Sequence, residues 1–453
     1  MHTVGSSKVQ NDIPMATRVR SIVGGTVGNL VEWFDWLSYS IFALYFAHIF
    51  FPEGNQTAQL MGAAAVFAVG HIIRPAGAIF FGWYADRKGR RSALALSVLL
   101  MCCGSMLIAV NPGYDVIGLA APALLVLARM LQGISVGGEY GSSAAYIMEV
   151  SPENRRGFFV SLIYTTLLIG QLLAILLLFV LQYALLTPEQ LHDWGWRIPF
   201  VIGGLLGVVA MYIRTGIMES PEFEKQGDKA KRANPLRLLL THPKEIALVF
   251  GLTMGGALAA NTFNLYMPKY LVNTAGFTKA DSTLMSMLMI ASFMVMQPLV
   301  GALSDKVGRK PILMAFGALG AVTTVPLMLQ IGQTQSFWGA YGLILVGLLI
   351  TSGYTATNAL VKAELFPVEV RAAGIGIPFS IATGLFGGSA EFVALKFKDA
   401  GWEEGYFYYI AVSIAISFFV YLFMRETAPK SVVGSGEGSQ ATASPQGSSA
   451  QRN

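Results

Sequence analysis

At 453 residues, 54% hydrophobic and only 13% charged, with a mean hydropathy of +0.56, the chain is not built around a water-soluble core; soluble domains carry about 25% charged residues. The net charge of +5 does not indicate nucleic acid, because the basic residues are gathered in short connections between apolar runs. Runs of about 20 apolar residues suit a bilayer, and the chain from Ser21 to Met424 accommodates about twelve of them, which must be helices because backbone groups in hydrocarbon need local partners.

Residues 1–20 are polar and are expected to form a tail. The first helix is expected from about Ser21 to Phe50, with Gly24 and Gly28 as a close-packing face, followed by Asn29, Glu32 and Asp35. At ~1.5 Å per residue, Glu32 and Asp35 lie roughly 16 to 21 Å into the membrane. No apolar stretch with a small-residue cleavage site precedes this helix, so it is expected to be retained. The second helix, about Ala58 to Tyr84, carries His71 and Arg74-Pro75 and ends in the basic hinge Gly82-Trp83-Tyr84-Ala85-Asp86-Arg87-Lys88-Gly89-Arg90-Arg91. In the third, Cys102 and Cys103 are adjacent, a spacing that suits neither a bridge nor a metal. The fourth, about Gly118 to Met148, holds Arg129, Gln132, Glu139 and the series Gly133, Gly137, Gly141 with Gly138 beside it, which implies a neighbouring backbone at close range.

Tyr164 and Gln171 lie on the fifth helix, and Trp194-Gly195-Trp196-Arg197 marks an interface before the sixth. Residues 215–244 are charged and contain Pro221 and Pro235, so they read as a linker. The seventh helix, from about Glu245, brings Asn261, Asn264, Tyr266 and Lys269. A second hinge, Gly301-Ala302-Leu303-Ser304-Asp305-Lys306-Val307-Gly308-Arg309-Lys310, joins helices eight and nine. Helix ten ends with Lys362, Glu364 and Pro367, and helix eleven carries Gly374, Gly376, Gly384, Gly387, Gly388 and Glu391. Residues 425–453, rich in Ser, Gly and Gln, read as a disordered tail.

Both hinges read G-x-x-x-D-[RK]-x-G-R-[RK], and Glu149, Pro152 and Arg156 recur at identical spacing as Glu364, Pro367 and Arg371. Two matched marks imply an internal duplication, with bundles at 21–214 and 245–424. The expected class is therefore an all-α integral membrane protein of twelve transmembrane helices in two pseudo-symmetric six-helix bundles. Arg87, Lys88, Arg90, Arg91, Arg155, Arg156, Lys306, Arg309, Lys310 and the linker cations share one side, which places the hinges and both termini in the cytoplasm by the positive-inside rule.

This arrangement resembles the major facilitator superfamily. Gly28-Asn29-Leu30-Val31-Glu32-Trp33-Phe34-Asp35, Arg129-x-x-Gln132-Gly133 with Gly137-Gly138-Glu139-Tyr140, and Trp194-Gly195-Trp196-Arg197-Ile198-Pro199 resemble its metabolite:proton symporter branch. Tyr45 to Pro52, Lys269 to Gly276 and Gly387-Gly388-Ser389-Ala390-Glu391 are similar to the bacterial α-ketoglutarate permeases, whereas His71, Asn261, Asn264 and Pro268 depart from them. The resemblance implies a proton-coupled symporter of the bacterial inner membrane, working as a monomer, importing α-ketoglutarate or a similar small dicarboxylate by alternating access. No cofactor is implied; the proton gradient drives it. Shikimate, citrate or a zwitterion such as proline or betaine remain alternative cargoes, and a membrane sensor that binds without transporting is the alternative of another class. An enzyme is not expected, since no nucleophile motif or nucleotide-binding loop is present.

Arginines inside spans cost about 2.5 to 3.5 kcal/mol each and need a cavity or a partner. Arg74 and Arg129 are the expected anion ligands, a guanidinium being a planar fork that matches a carboxylate; the alternative is that they pair with Glu32, Asp35 or Glu139. Tyr164, Gln171, Asn261 and Tyr266 are expected beside the substrate, and Lys362 either supplies a further cation or snorkels to the surface. Asp35 and Glu139, with Glu32, are the candidates for carrying a proton, because low dielectric favours a neutral carboxyl. Gly82, Asp86, Arg90, Glu149, Arg156, Asp305, Arg309, Glu364 and Arg371 are gating candidates: a carboxylate at a helix N-terminus, or paired with an arginine such as Arg156, would latch the bundles together.

Overall fold

The computed structural model describes residues 15–51, 56–216, 219–220, 237 and 239–428. The tail before residue 15, most of the 215–244 linker and the tail from residue 429 lie outside the described residues. Every regular element among those described is helical. Eleven helices are long and apolar enough to cross a membrane, and α1 (Met15–Phe50), which carries Asn29, Glu32 and Asp35, completes twelve. It begins at Met15 rather than at Ser21: the added turn exposes Ala16, Thr17 and Arg20, so the helix continues beyond its buried part into a polar surround.

In the first bundle α1 is followed by α2 (Gln56–Ile72, resuming as Arg74–Lys88), α3 (Arg90–Val110), α4 (Ala120–Val150), α5 (Arg156–Val180) and α6 (Ile198–Thr215). The second bundle holds α7 (Pro243–Asn261, resuming as Met267–Asn273), α8 (Lys279–Val307), α9 (Arg309–Gln333), α10 (Phe337–Thr355, resuming as Asn358–Leu365), α11 (Arg371–Ala382, resuming as Ala390–Asp399) and α12 (Glu404–Phe423).

Four helices are interrupted. Pro75 opens the second segment of α2, wide π turns at Thr262–Tyr266 and Thr383–Gly387 interrupt α7 and α11, and α10 breaks at Ala356-Thr357. Freed backbone at such depth is tolerated where it borders protein or a cavity. All four interruptions adjoin the same central space described below.

The glycine series of α4 packs as its spacing implies. A Cβ at Gly133 would strike the carbonyl of Gly70, one at Gly137 the carbonyl of Arg74, and one at Gly141 the carbonyl of Ala372 on α11. Helix α4 is thus pressed against α2 in its own bundle and α11 in the other. In the hinges, Gly89 (φ 106°) and Gly308 (φ 97°) adopt the conformation that L side chains avoid, which lets the chain turn from one helix into the next within one residue. Cys102 is buried, Cys103 is exposed, and both are free thiols.

This packing makes opposite demands on two helical glycines. Gly137→Leu should lower the melting temperature of the detergent-solubilised protein, overpacking costing about 1–3 kcal/mol. Gly342→Ala, whose Cβ meets nothing within 4 Å, should leave it unchanged or raise stability by up to about 1 kcal/mol. Thermal-shift measurements on both variants check the pair.

Candidate functional site: a central cavity and a cross-bundle latch

The two bundles enclose a cavity of about 200 Å³. One side is formed by Glu32, Trp36, His71, Arg74, Tyr140, Tyr164 and Gln171, the other by Asn261, Asn264, Tyr354, Asn358 and Phe379. Arg74 stands at the α2 interruption with its guanidinium carbon 4.1 Å from the Trp36 ring centre. Its Nε and Nη2 are shielded from water and have no hydrogen-bond partner among the described residues. Glu32 accepts from the Ser135 hydroxyl and forms no ion pair among those residues. Across the seam, Asn264 Nδ2 donates to Gln171 Oε1 at 3.0 Å, and the Tyr140 hydroxyl donates to Asn358 Oδ1. The rings of Tyr140 and Phe379 stack with centroids 3.7 Å apart.

On the hinge side the cavity is closed by a pseudo-symmetric latch. Asp86 Oδ1 and Oδ2 accept from the backbone N–H groups of Ala372 (3.1 Å) and Ala373 (3.0 Å), in the first turn of α11. Asp305 makes the matching contact in reverse, accepting from Gly157 (2.7 Å) and Phe158 (2.9 Å) in the first turn of α5. Each acid thus crosses from one bundle to an unsatisfied helix N-terminus of the other, where donors and dipole both favour an anion. Gly82 and Gly301 allow the approach: a Cβ on Gly82 would lie 2.6 Å from Ala373 Cα, and one on Gly301 would meet the carbonyl of Gly157.

Arginines fill in behind the acids. Arg90 pairs with Asp86 at 2.6 Å and with Glu149 at 3.6 Å, and Arg371 reaches Glu149 from the other bundle at 2.6 Å. Arg309 lies 3.3 Å from Asp305 and 3.6 Å from Glu364. Asp86 thus pairs with Arg90, one helical turn away, and Arg156 opens the helix whose amides hold Asp305. Two more carboxylates complete the repeat. Glu219, beyond α6, accepts from the N–H of Arg90 (3.0 Å), and Glu426, beyond α12, from those of Arg309 and Lys310 (both 3.0 Å).

The family model of the Major Facilitator Superfamily matches residues 27–390. The chain belongs to this superfamily. It is 47% identical over 408 residues to the alpha-ketoglutarate permease of Escherichia coli K12, covering 90% of this chain and 94% of that one. It is 34% identical to the citrate-proton symporter of Salmonella typhi, covering 81% and 85%. Among solved structures, the proton:xylose symporter XylE superposes with a TM-score of 0.77 at 18% identity, over 92% of this chain and 97% of XylE, a likeness of fold.

Within this superfamily fold, two residues expected at the substrate, Arg129 and Tyr266, and two expected to carry a proton, Asp35 and Glu139, lie off the cavity wall. Arg129 is fully buried off the cavity wall, behind Trp36, whose ring centre is 3.9 Å from its guanidinium carbon. It donates to Gln132 at 2.6 Å, and Gln132 donates to Asp35 at 2.6 Å. Asp35, also off the wall, accepts from Ser105 as well through Oδ2, while Oδ1 has no hydrogen-bond partner among the described residues. Tyr266 sits in the α7 π turn, buried against Tyr406 rather than facing the cavity, because the extra residue of that turn rotates it away. Glu139 forms a two-point ion pair with Arg214 of α6 and accepts from Ser97 and Ser143, also off the cavity. Arg214 was hidden in the sequence because it stands at the mouth of the basic linker, where it reads as a boundary cation. The room for its guanidinium is the missing side chain of Gly28.

Removing one latch acid should open the hinge side without emptying the cavity. Asp86→Asn loses a charge-assisted contact to α11, worth about 1.5–3 kcal/mol, so the population open at the hinges should rise by about tenfold or more. Labelling rates of single cysteines placed on the hinge side of the cavity, in a background lacking Cys102 and Cys103, would report it; unchanged rates would show that the acid does not hold the bundles. Glu139→Gln should act differently, leaving Arg214 buried and uncompensated at a cost of about 3–5 kcal/mol, seen as a lowered melting temperature.

Proposed function

We propose that the protein is a proton-coupled symporter for α-ketoglutarate or a similar small dicarboxylate, working by alternating access, with the hinges and termini facing the cytoplasm of a bacterial cell. The observation that carries the reading is Arg74: a guanidinium at the wall of the central cavity, with Nε and Nη2 that no carboxylate among the described residues occupies. A buried charge in this condition is best explained by an anionic ligand. The relatives named for carboxylates, alpha-ketoglutarate permease and citrate-proton symporter, support the same class. The cavity lies wholly between the halves of one chain, so a monomer suffices.

Coupling follows from the electrostatics. A dianion entering a negative interior is opposed by about 2.3 kcal/mol per charge per 100 mV, and co-transported protons remove that opposition. Asp35 and Glu32 suit the carrier role because neither is held in an ion pair among the described residues, so proton gain breaks none. Glu139 suits it less, being bound to Arg214. Arg129 contributes from behind Trp36, through Gln132 to Asp35, rather than by touching substrate.

Competition against labelled α-ketoglutarate uptake in energised vesicles, with succinate, citrate, shikimate, proline and betaine as competitors, tests the substrate. Small dicarboxylates should compete, and displacement by proline or betaine alone would reverse the assignment. Arg74→Lys replaces a fork by a point charge and should weaken α-ketoglutarate binding by about tenfold while the protein still folds. Asp35→Asn should abolish accumulation driven by an imposed pH gradient yet retain counterflow. Proteoliposomes measured in both modes decide: an Asp35→Asn variant that concentrates substrate as wild type does would remove Asp35 from the coupling path.

A further inference from the structure

Lys362, like Arg74 and Arg129, is a cation with no ion-pair partner among the described residues. It lies in α10, fully buried, and its ammonium donates to Asn358 Oδ1 at 2.9 Å. Three aromatic rings surround it, with centres 4.0 Å (Phe379), 5.3 Å (Tyr140) and 5.6 Å (Tyr354) from Nζ. No carboxylate lies within ion-pair distance among the described residues. It does not snorkel. All four of its neighbours line the cavity, so the ammonium stands directly behind the wall contributed by the second bundle.

Aromatic rings gathered about a cation are the surroundings that recognise quaternary ammonium groups, and here three lie within about 6 Å of it, two of them, Tyr140 and Phe379, stacked on each other. Here the chain supplies the cation itself. We propose that Lys362 fills this aromatic cage as a tethered cation and thereby sets the charge preference of the cavity: it excludes ligands with a cationic head and offers the second positive pole to a dicarboxylate held at its other end by Arg74. The cage and the anion site are alternative uses of one space. With the lysine present, the rings stabilise a positive charge that attracts a carboxylate toward Asn358 and Tyr140. With the lysine removed, the same rings face the cavity with no charge inside them, and a trimethylammonium group has the chemistry to take its place.

The second half of this inference rests on the dicarboxylate reading; the first half does not, and the test separates them. Binding of α-ketoglutarate and of glycine betaine is measured on the purified full-length protein for wild type, Lys362→Ala, Lys362→Arg and Lys362→Ala with Phe379→Leu. Wild type should bind α-ketoglutarate and not betaine. Lys362→Ala should lose at least about tenfold in affinity for the dianion, as expected for one charge-assisted contact, and gain saturable betaine binding. Adding Phe379→Leu should remove that gain, and Lys362→Arg should keep the preference for anions. Absence of betaine binding in Lys362→Ala, or its survival when Phe379 is also replaced, overturns the cage. If Lys362→Ala does not elute as a monodisperse protein, Lys362→Met keeps the apolar stem and carries the anion arm: unchanged α-ketoglutarate affinity in it overturns the assignment. Should wild type bind no dicarboxylate while Lys362→Ala gains betaine, the cage stands and the substrate reading falls.

Discussion

A carboxylate crossing a seam to a foreign helix N-terminus is the contact on which the rest of this structure depends. Asp86 on α2 holds the first turn of α11, and Asp305 on α8 holds the first turn of α5. Both partners are already incomplete, since the first N–H groups of any helix lack an intrahelical acceptor. The contact therefore satisfies donors and charge together, and it does so only while the bundles are closed at this face. It is local and repeated in both halves, as the proposed rocking of the bundles would require.

Buried charges elsewhere fall into two groups. Glu139 with Arg214, and Glu149 with Arg90 and Arg371, are compensated within the chain and fix helix positions. Arg74, Arg129, Lys362, Glu32 and Asp35 have no ion-pair partner among the described residues, and all five lie on or immediately behind the cavity wall. Charge left uncompensated in low dielectric is costly. Among the described residues it is confined to this one region, which is what the proposed carboxylate and proton would compensate. Aromatic rings lower the cost in the meantime: Trp36 lies between Arg74 and Arg129, and Phe379, Tyr140 and Tyr354 surround Lys362.

The class, the duplication and the latch were legible in the sequence because each has a linear signature: span length, a hinge spelled twice, glycines at fixed spacing. Arg74, Tyr164, Gln171 and Asn261 reach the cavity as expected from polar residues at mid-span. What stayed hidden depends on rotation about a helix axis. Arg129 and Glu139 are as polar as Arg74 and equally deep in sequence, yet both point off the cavity, and Tyr266 is turned aside by a π turn that no residue pattern announces. The pairing of Glu139 with Arg214 could not be read from spacing, since 75 positions separate them. Gly28 was the available sign, a gap on α1 that only a long side chain from elsewhere fills.

Latch and cavity share one element, which is how an event in one can reach the other. Helix α11 presents Ala372 and Ala373 to Asp86, and the same helical segment, about 10 Å further on, stacks Phe379 on Tyr140 of α4. Tyr140 in turn binds Asn358, which holds Lys362. On the proposed function, a carboxylate drawn toward that cluster would compete with Asn358 Oδ1 for the Tyr140 hydroxyl and the Lys362 ammonium, and would disturb the Tyr140–Phe379 stack and with it the footing of α11 against the first bundle. Glycines at Gly137 and Gly141 keep α4 too tightly packed between α2 and α11 to absorb such a shift by deforming. The displacement is left to the helix ends, where it meets the acid that holds the hinge face shut. On the proposed function, occupancy of the cavity would reach the latch through the Arg371–Ala382 segment of α11, without any contact between ligand and hinge.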